Sequence, residues 1–179
     1  MKIAITGHSA GIGQALAKIY ESRGHEIVGV SRRTGGNIRS LSRILNLIEP
    51  CDMLINNAQI GFAQTELLFA IWEIWKNTNK TIINIGTQMT NDPVATREEW
   101  DAYRVQKVSL DTAHHQLRAR NSLPKMILVK PGAVATQDNQ YPPEYADVDE
   151  WANTLFQILE IVNPNLEISE IALGPKNGS

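Results

Sequence analysis

The sequence predicts one α/β domain over residues 1–179: a doubly wound, mostly parallel sheet of six to seven strands with helices on both faces. Three observations carry that expectation. Short apolar runs of strand length alternate with longer stretches whose apolar residues recur every three or four positions, the pattern of βαβ units. The first run, Lys2–Thr6, leads straight into a glycine-rich segment and then a helical pattern. The 179 residues suit a single domain that buries its own core, and neither a repeat nor a linker divides them.

The elements follow in order. After Lys2–Thr6, the residues Ile12, Leu16, Ile19 and Tyr20 give Gly11–Arg23 an apolar helical face, and Gly24 ends it. Glu26–Ser31, rich in Val and Ile, is the second strand. The stripe Leu41, Ile44, Leu45 and Ile48 makes Ile38–Ile48 a helix that Pro50 closes. Asp52–Asn56 is the third strand. Thr65–Lys76 is a helix with Leu68, Ile71, Trp72 and Trp75 on related faces, and Thr81–Ile85 is the fourth strand. A long helix lies within Arg97–Arg120 and ends before Pro124; Met126–Lys130 is a strand that runs into Pro131-Gly132. A polar stretch with Pro142-Pro143 precedes a helix at Val148–Val162 and a last strand near Leu166–Leu173.

Composition narrows the function classes. With 42% hydrophobic and 20% charged residues, 12 Gly and 8 Pro, the chain is neither disordered nor collagenous. Lys and Arg total 17 against 19 Asp and Glu, a net charge of −2 with no basic run, which argues against nucleic acid or an anionic membrane as partner. The most apolar stretch, Leu67–Trp75, is too short to cross a bilayer and contains Glu73. The single Cys51 forms no internal disulfide, and the immediate start on a strand leaves no place for a leader, so a cytoplasmic location is expected.

The strongest local signal is Thr6-Gly7-His8-Ser9-Ala10-Gly11-Ile12-Gly13, between the first strand and the first helix. Glycines there permit a tight turn, let the backbone approach a pyrophosphate and allow close helix–strand packing. The helix N-terminus adds free N–H groups and the positive end of its dipole. The segment predicts a Rossmann-like nucleotide-binding loop at Gly7, His8, Ser9, Gly11, Ile12 and Gly13. The alternative is a glycine turn that holds nothing.

Tyr103 and Lys107 stand at i and i+4 of the long helix, one above the other on one face. A phenol with an ordinary pKa near 10 exchanges protons poorly at neutral pH. A neighbouring cation is expected to lower that pKa towards the range where general acid–base catalysis works. The alternative is an exposed Tyr–Lys pair without a chemical task.

The spacing G-x-x-x-G-x-G at Gly7–Gly13 resembles that of the short-chain dehydrogenase/reductase family in its compact single-domain branch, and further motifs arrive in the family's order. Asn56-Asn57-Ala58 resembles N-N-A-G, and Ile83-Asn84-Ile85-Gly86-Thr87 resembles the strand that ends in the catalytic serine. Tyr103-Arg104-Val105-Gln106-Lys107 resembles Y-x-x-x-K, and Pro131-Gly132-Ala133-Val134-Ala135-Thr136 resembles P-G-x-V-x-T. The resemblance runs from residue 1 to about 136, in a chain unusually short for the family.

This resemblance implies an NADP(H)-dependent oxidoreductase that moves hydride between nicotinamide and a small carbonyl or alcohol substrate. Tyr103 would protonate the carbonyl oxygen, and Lys107 would support it and hold the nicotinamide ribose. Thr87 would replace the serine, with Thr90 as a competing candidate. Asn57, Ala58, Tyr103, Lys107, Pro131, Gly132, Val134 and Thr136 would line the cofactor. The segments 86–103 and 132–150 would form the substrate site, with Gln88, Met89, Ala133, Gln137 and Tyr141 in its lining. Family members commonly pair through helices near Trp72 and Trp75, so the resemblance also allows a homodimer.

The end of the second strand bears on cofactor choice. An acidic residue there bonds the ribose 2′-OH of NAD, whereas arginine accommodates a 2′-phosphate. Here Val30-Ser31-Arg32-Arg33 brings a hydroxyl and two guanidiniums and no acid, which predicts NADP(H) with Arg32 as the main contact. Otherwise these arginines are a solvated basic turn. Thr34-Gly35-Gly36-Asn37-Ile38 stands where the family carries a helix and a strand, so Asn37 either meets the adenine edge or belongs to a simple polar loop.

Two departures from the family pattern bear on catalysis. Gln59 stands in place of the glycine of N-N-A-G. The family's helix asparagine, which helps order a relay water, falls near Phe62–Gln64, where Gln64 is the nearest polar substitute. Both keep open a second reading, a catalytically weak or inactive dinucleotide-binding or sensor protein. A sugar-nucleotide epimerase would carry G-x-x-G-x-x-G and a larger C-terminal region, and this chain has neither. His114 and His115 are adjacent on a helix, and with His8 and His25 they show no metal spacing. Cys51 reads as inert, and Trp72 and Trp75 as packing residues.

Overall fold

The computed structural model describes residues 1–91, 98–136, 142, 144–161 and 166–176. In chain order they form β1 (Lys2–Thr6), α1 (Gly11–Ser22), β2 (Glu26–Val30), α2 (Leu41–Ile48), β3 (Met53–Asn56) and α3 (Ala63–Trp75). Then come β4 (Thr81–Ile85), α4 (Asp101–Arg120), β5 (Lys125–Pro131), β6 (Val134–Ala135), β7 (Ala146–Asp147), α5 (Val148–Leu159) and β8 (Glu170–Leu173).

Six of the strands build one parallel sheet in the order β2-β1-β3-β4-β5-β8. The two-residue period of a strand sorts the side chains between its faces. Ala4, Leu54, Ile82 and Met126 pack with the apolar residues of α2, α3 and α4, whereas Ile3, Ile5, Ile55, Ile83, Ile127 and Val129 pack with those of α1 and α5. Both faces are therefore covered, as the apolar strands required. Trp72 and Trp75 are buried in the first of these cores, as packing residues.

The strand order reverses at β1. The chain steps outward from β1 to β2 and then crosses to β3 on the other side, which opens a crevice beyond the carboxyl ends of β1 and β3. Sheets of this kind hold ligands there. β2 is an edge strand because only a short 3₁₀ turn (Arg32–Thr34) and a loop join it to α2. Over Thr34–Ile38 the chain passes from this turn to α2 with no further strand outside β2 among the described residues, and Ile38 is buried from the loop, not from the helix, which starts at Leu41.

Smaller differences have local causes. α3 starts at Ala63 and not at Thr65, because Phe62 O already accepts the N–H groups of Thr65 and Glu66. The long helix starts at Asp101, preceded by a 3₁₀ turn at Glu98–Trp100. β6 and β7 form a separate parallel pair of two residues each, too short for any periodicity to announce. Gln137 and Tyr141, expected in the substrate lining, lie outside the described residues, as do the other positions of 137–141, residue 143 and 92–97. Among the described residues no helix is long and apolar enough to cross a membrane, and no cluster of His, Cys, Asp and Glu could hold a metal ion.

Candidate active site

The site starts at the end of β1. Thr6 is fully buried, and its Oγ1 accepts the backbone N–H groups of Asn57 (2.8 Å) and Ala58 (2.9 Å), while Asn57 Nδ2 donates to Thr6 O (2.9 Å). These bonds fasten the loop after β1 to the loop after β3. Gly7 and Gly11 have φ of 72° and 53°, a left-handed backbone that favours glycine. Gly13 lies so close that a Cβ would strike Gly7 O and come within 2.7 Å of Asn57 Nδ2. Ala10 gives α1 no side-chain cap, so the first-turn N–H groups keep their capacity for an anion. The His8 ring is packed over Gly29, where a Cβ would strike the imidazole.

Three cavities adjoin this loop. The first, of about 320 Å³, lies between the glycine loop and the turn after β2, with Gly7, Ser9, Ser31, Arg32, Arg33, Asn37 and Ala58 in its walls. Arg33 reaches across it, with Nη1 donating to Ser9 O (3.3 Å). Asn37 Oδ1 accepts the Arg39 N–H (3.0 Å), which fixes the Asn37 side chain in the loop before α2. The second cavity, of about 220 Å³, is walled by Ile12, Asn57, Thr87, Tyr103 and Lys107 on one side and by Pro131, Gly132, Val134 and Thr136 on the other. Gln59 lines both cavities, and its Nε2 donates to Gln106 Oε1 on α4. Gly11 and Thr136 both line a third cavity of about 450 Å³ on the other flank of the loop. Of the residues singled out from sequence for cofactor or chemistry, all but His8, Gly13, Gln64 and Thr90 line one of these three spaces, whereas Gln88, Met89 and Ala133, expected in the substrate lining, line none of them.

The two threonine candidates separate cleanly. Thr87 shares a cavity with Tyr103, where its hydroxyl draws the phenol's pKa down, and its Oγ1 accepts the Met89 N–H (3.3 Å). Thr90 Oγ1 is instead shared between Thr87 O (2.9 Å) and Asp111 Oδ2 (2.6 Å), behind the turn. The hydroxyl beside the phenol is that of Thr87.

The electrostatics differ from expectation. Burial holds the Tyr103 phenol above its ordinary pKa, and the group that pulls it back down is the Thr87 hydroxyl, not the Lys107 ammonium. Lys107 Nζ sits 5.7 Å from the centre of the Tyr103 ring and donates to Gln64 Oε1 (2.9 Å) and Ile85 O (2.7 Å). Burial pushes Lys107 itself down to about 7, against the opposing pull of the Asp111 charge. A lysine this deeply buried has weakened its own charge, which limits what it can do for the phenol.

Behind Lys107 runs a buried chain of amides; Gln64 stands out in the sequence as a polar substitute, but the chain it joins does not. Gln64 Nε2 donates to Asn56 O (2.6 Å) and Ile85 O (3.0 Å), and Asn56 Nδ2 donates to Gln64 O (3.0 Å) and Asn84 Oδ1 (2.9 Å). Asn84 Nδ2 then meets His114 Nδ1 (3.2 Å). Burial first, and then the charges of His115, Arg118 and Lys130, push His114 down to about 4, so its ring is neutral at physiological pH. The signal available in the sequence was polar residues at core positions of strands, Asn56 and Asn84, and the continuation of Tyr103 and Lys107 by Asp111 and His114 along the same helix face.

No family model matches the chain, and no curated protein matches it. Solved structures do match. A short-chain dehydrogenase from Burkholderia cenocepacia, in complex with NADP, superposes with a TM-score of 0.76 at 18% identity, over 97% of this chain and 87% of that one. An alcohol dehydrogenase from the archaeon Thermococcus sibiricus, complexed with 5-hydroxy-NADP, gives 0.73 at 17% identity, over 98% and 97%. The 3-alpha-hydroxysteroid dehydrogenase from Pseudomonas sp. B-0831, complexed with NADH, gives 0.70 at 19% identity, over 97% and 95%. With the reversal of strand order at β1, the glycine loop and full-length superposition in agreement, the chain has the fold of the short-chain dehydrogenases/reductases.

Proposed function

We propose that the chain is an NADP(H)-dependent oxidoreductase that interconverts a small carbonyl compound and its alcohol. The observation that carries the reading is the meeting of Thr87, Tyr103 and Lys107 in one cavity that adjoins, through Gln59, a second cavity at the glycine loop. The residues present suit a dinucleotide. The uncapped start of α1 suits a pyrophosphate, Ser31 with the exposed Arg32 and Arg33 suits a 2′-phosphate, and Lys107 with Tyr103 suits the nicotinamide ribose. Two of the structurally similar proteins hold NADP or 5-hydroxy-NADP, which supports this choice.

When bound, the nicotinamide supplies or takes up the hydride. The chain's own work is to orient the carbonyl and move one proton. Tyr103 remains a phenol throughout the neutral range because burial raises its pKa, so it is set to donate its proton to a carbonyl oxygen. Thr87 shares the cavity with that phenol and offers the same oxygen a second hydroxyl. Gln64 Oε1 and Ile85 O hold the Lys107 ammonium beside the Tyr103 ring, where its part is to hold the nicotinamide ribose. Direct coordination by Gln64 takes up the position for which no asparagine was found.

Exposed Phe62, Phe69, Val105 and Val108 leave apolar surface on or beside α3 and α4, which supports a homodimer through these helices, to be checked by sedimentation. The central experiment is titration with NADPH and NADH, followed by NADPH oxidation across a panel of aldehydes and ketones. Tighter NADPH binding and turnover are expected. Tighter NADH binding overturns the cofactor choice, and binding without any turnover overturns the enzymatic reading.

A further inference from the structure

We propose that the buried ion pair between Asp111 of α4 and Lys130 near the end of β5 is a clamp that positions the Thr87 hydroxyl, with both residues acting through the turn and not on the substrate. The proposal rests on the reading of Thr87 and Tyr103 as the reacting pair.

The turn after β4 carries Thr87 away from the sheet. Its last regular ladder bond is from the Gly86 N–H to Val129 O (2.7 Å). Beyond that point the turn is held by α4 and β5. Thr90 Oγ1 is shared between Thr87 O and Asp111 Oδ2, and Asn91 Oδ1 accepts from Lys130 Nζ (3.0 Å). Gln88 Nε2 donates to Lys130 O (3.4 Å), and Met89 O accepts from Arg104 Nε (3.1 Å). Lys130 Nζ lies 3.1 Å from Asp111 Oδ2 and 3.4 Å from Glu170 Oε1. The Lys130 and Asp111 side chains are only 9% and 11% exposed. Even Gly86 belongs to this arrangement, since a Cβ there would come within 3.1 Å of Asp111 Oδ1.

A buried ion pair is poor at adding net stability, because removing both charges from water offsets most of their attraction. What this pair supplies is geometry. Asp111 holds the turn at Thr90 and, through it, at the Thr87 carbonyl, while Lys130 holds the far end at Asn91. Lys130 also immediately precedes Pro131-Gly132, which forms the opposite wall of the Tyr103 cavity. One ion pair therefore sets the spacing between the Thr87 turn, the helix that carries Tyr103 and the facing wall. A displacement of about 1 Å at such a hydroxyl is enough to cost a large part of the rate.

Amide hydrogen exchange on the full chain tests the clamp without any need for turnover. In Asp111→Asn and in Thr90→Val, exchange at Met89, Thr90 and Asn91 should rise roughly tenfold, while Asn57 and Ala58 in the cofactor loop keep their protection. With NADPH and a reducible carbonyl, both variants should lose roughly tenfold in kcat, with KM and the NADPH dissociation constant changed by less than about twofold. Thr90→Val leaves the ion pair in place, so it decides the matter if Asp111→Asn fails to fold. Unchanged exchange in the turn overturns the proposal, as does a rise spread evenly over the whole sheet, which would mark a merely structural pair. Wild-type protein that binds NADPH but turns over no carbonyl overturns the oxidoreductase reading instead, and the exchange pattern still decides whether the clamp holds the turn.

Discussion

Lys107 Nζ donates to Gln64 Oε1 at 2.9 Å, and this bond joins the helix that carries Tyr103 to the neighbouring α3 through the floor of the candidate site. Gln64 in turn has both amide hydrogens engaged, on Asn56 O and Ile85 O, so its oxygen is aimed at the ammonium and at nothing else. Gln64→Met keeps the length of the side chain and removes the acceptor, leaving a buried ammonium with one partner. We expect roughly tenfold or greater loss of kcat. NADPH affinity should fall no more than a few-fold. Steady-state kinetics beside fluorescence titration checks this, and an unchanged kcat would show that the bond has no part in turnover.

Tyr103→Phe removes the one group placed to give a proton to the carbonyl oxygen, with little change in shape. Turnover should fall by roughly 10²- to 10⁴-fold, with the NADPH dissociation constant nearly constant. The Thr87 hydroxyl pulls the Tyr103 pKa down against burial, so Thr87→Val should also slow the reaction while Thr87→Ser preserves it. Thr90→Val leaves that hydroxyl in place and acts only through the turn. Equal losses for Thr87→Val and Thr87→Ser would mean that the methyl, not the hydroxyl, is what the site requires.

The backbone of this site was far more legible in the sequence than its electrostatics. Glycines announce themselves because Gly7, Gly11 and Gly13 answer to local demands of turn and packing, and the apolar periodicity of β1 to β5 reports burial directly. Tyr103 and Lys107 stand out through their spacing together with the ordered motifs around them, but neither says how deep the pair lies. Depth decided the outcome, since burial raises the Tyr103 pKa and lowers that of Lys107. The groups that oppose burial, Thr87 for the phenol and Asp111 for the lysine, come from the turn after β4 and from one turn beyond Lys107 on α4, and the Tyr–Lys spacing contains neither. Lys130 was hidden for the same reason, since a lysine at the end of a strand reads as solvated until Asp111 and Glu170 are seen around it.

The buried lysine makes a pH prediction. In the folded chain Lys107 titrates at about 7, and in the unfolded chain it returns towards its ordinary 10.5. Between those values the unfolded chain binds the extra proton, so this group makes stability rise with pH from about 7 upward and contributes no slope below it. Asp111 is the facing charge that keeps the folded value from falling further. Chemical denaturation at several pH values should show the slope, and Lys107→Met should remove it. Turnover should move the opposite way, declining above about 7 as the ammonium is lost while Tyr103 stays protonated. A rate that climbs through that range would assign the ammonium no role.

Arg32 and Arg33 are neighbours in one short turn, yet they should fail differently. Arg33 Nη1 is bonded to Ser9 O, which makes it part of the support of the glycine loop. Arg32 has no such tie among the described residues and is exposed beside the first cavity, so a 2′-phosphate is the group it is placed to meet. Arg32→Ala should weaken NADPH binding by roughly ten- to a hundredfold and leave NADH binding unchanged, because only NADPH carries the added phosphate charge. Arg33→Ala should weaken both cofactors, since the loop that cradles the pyrophosphate loses a strut. The NADPH preference of the wild type should also shrink as salt is added, because an exposed guanidinium–phosphate contact is screened. Parallel titrations of both variants with both cofactors separate the two roles, and equal weakening of NADPH and NADH by Arg32→Ala would remove the 2′-phosphate from its account.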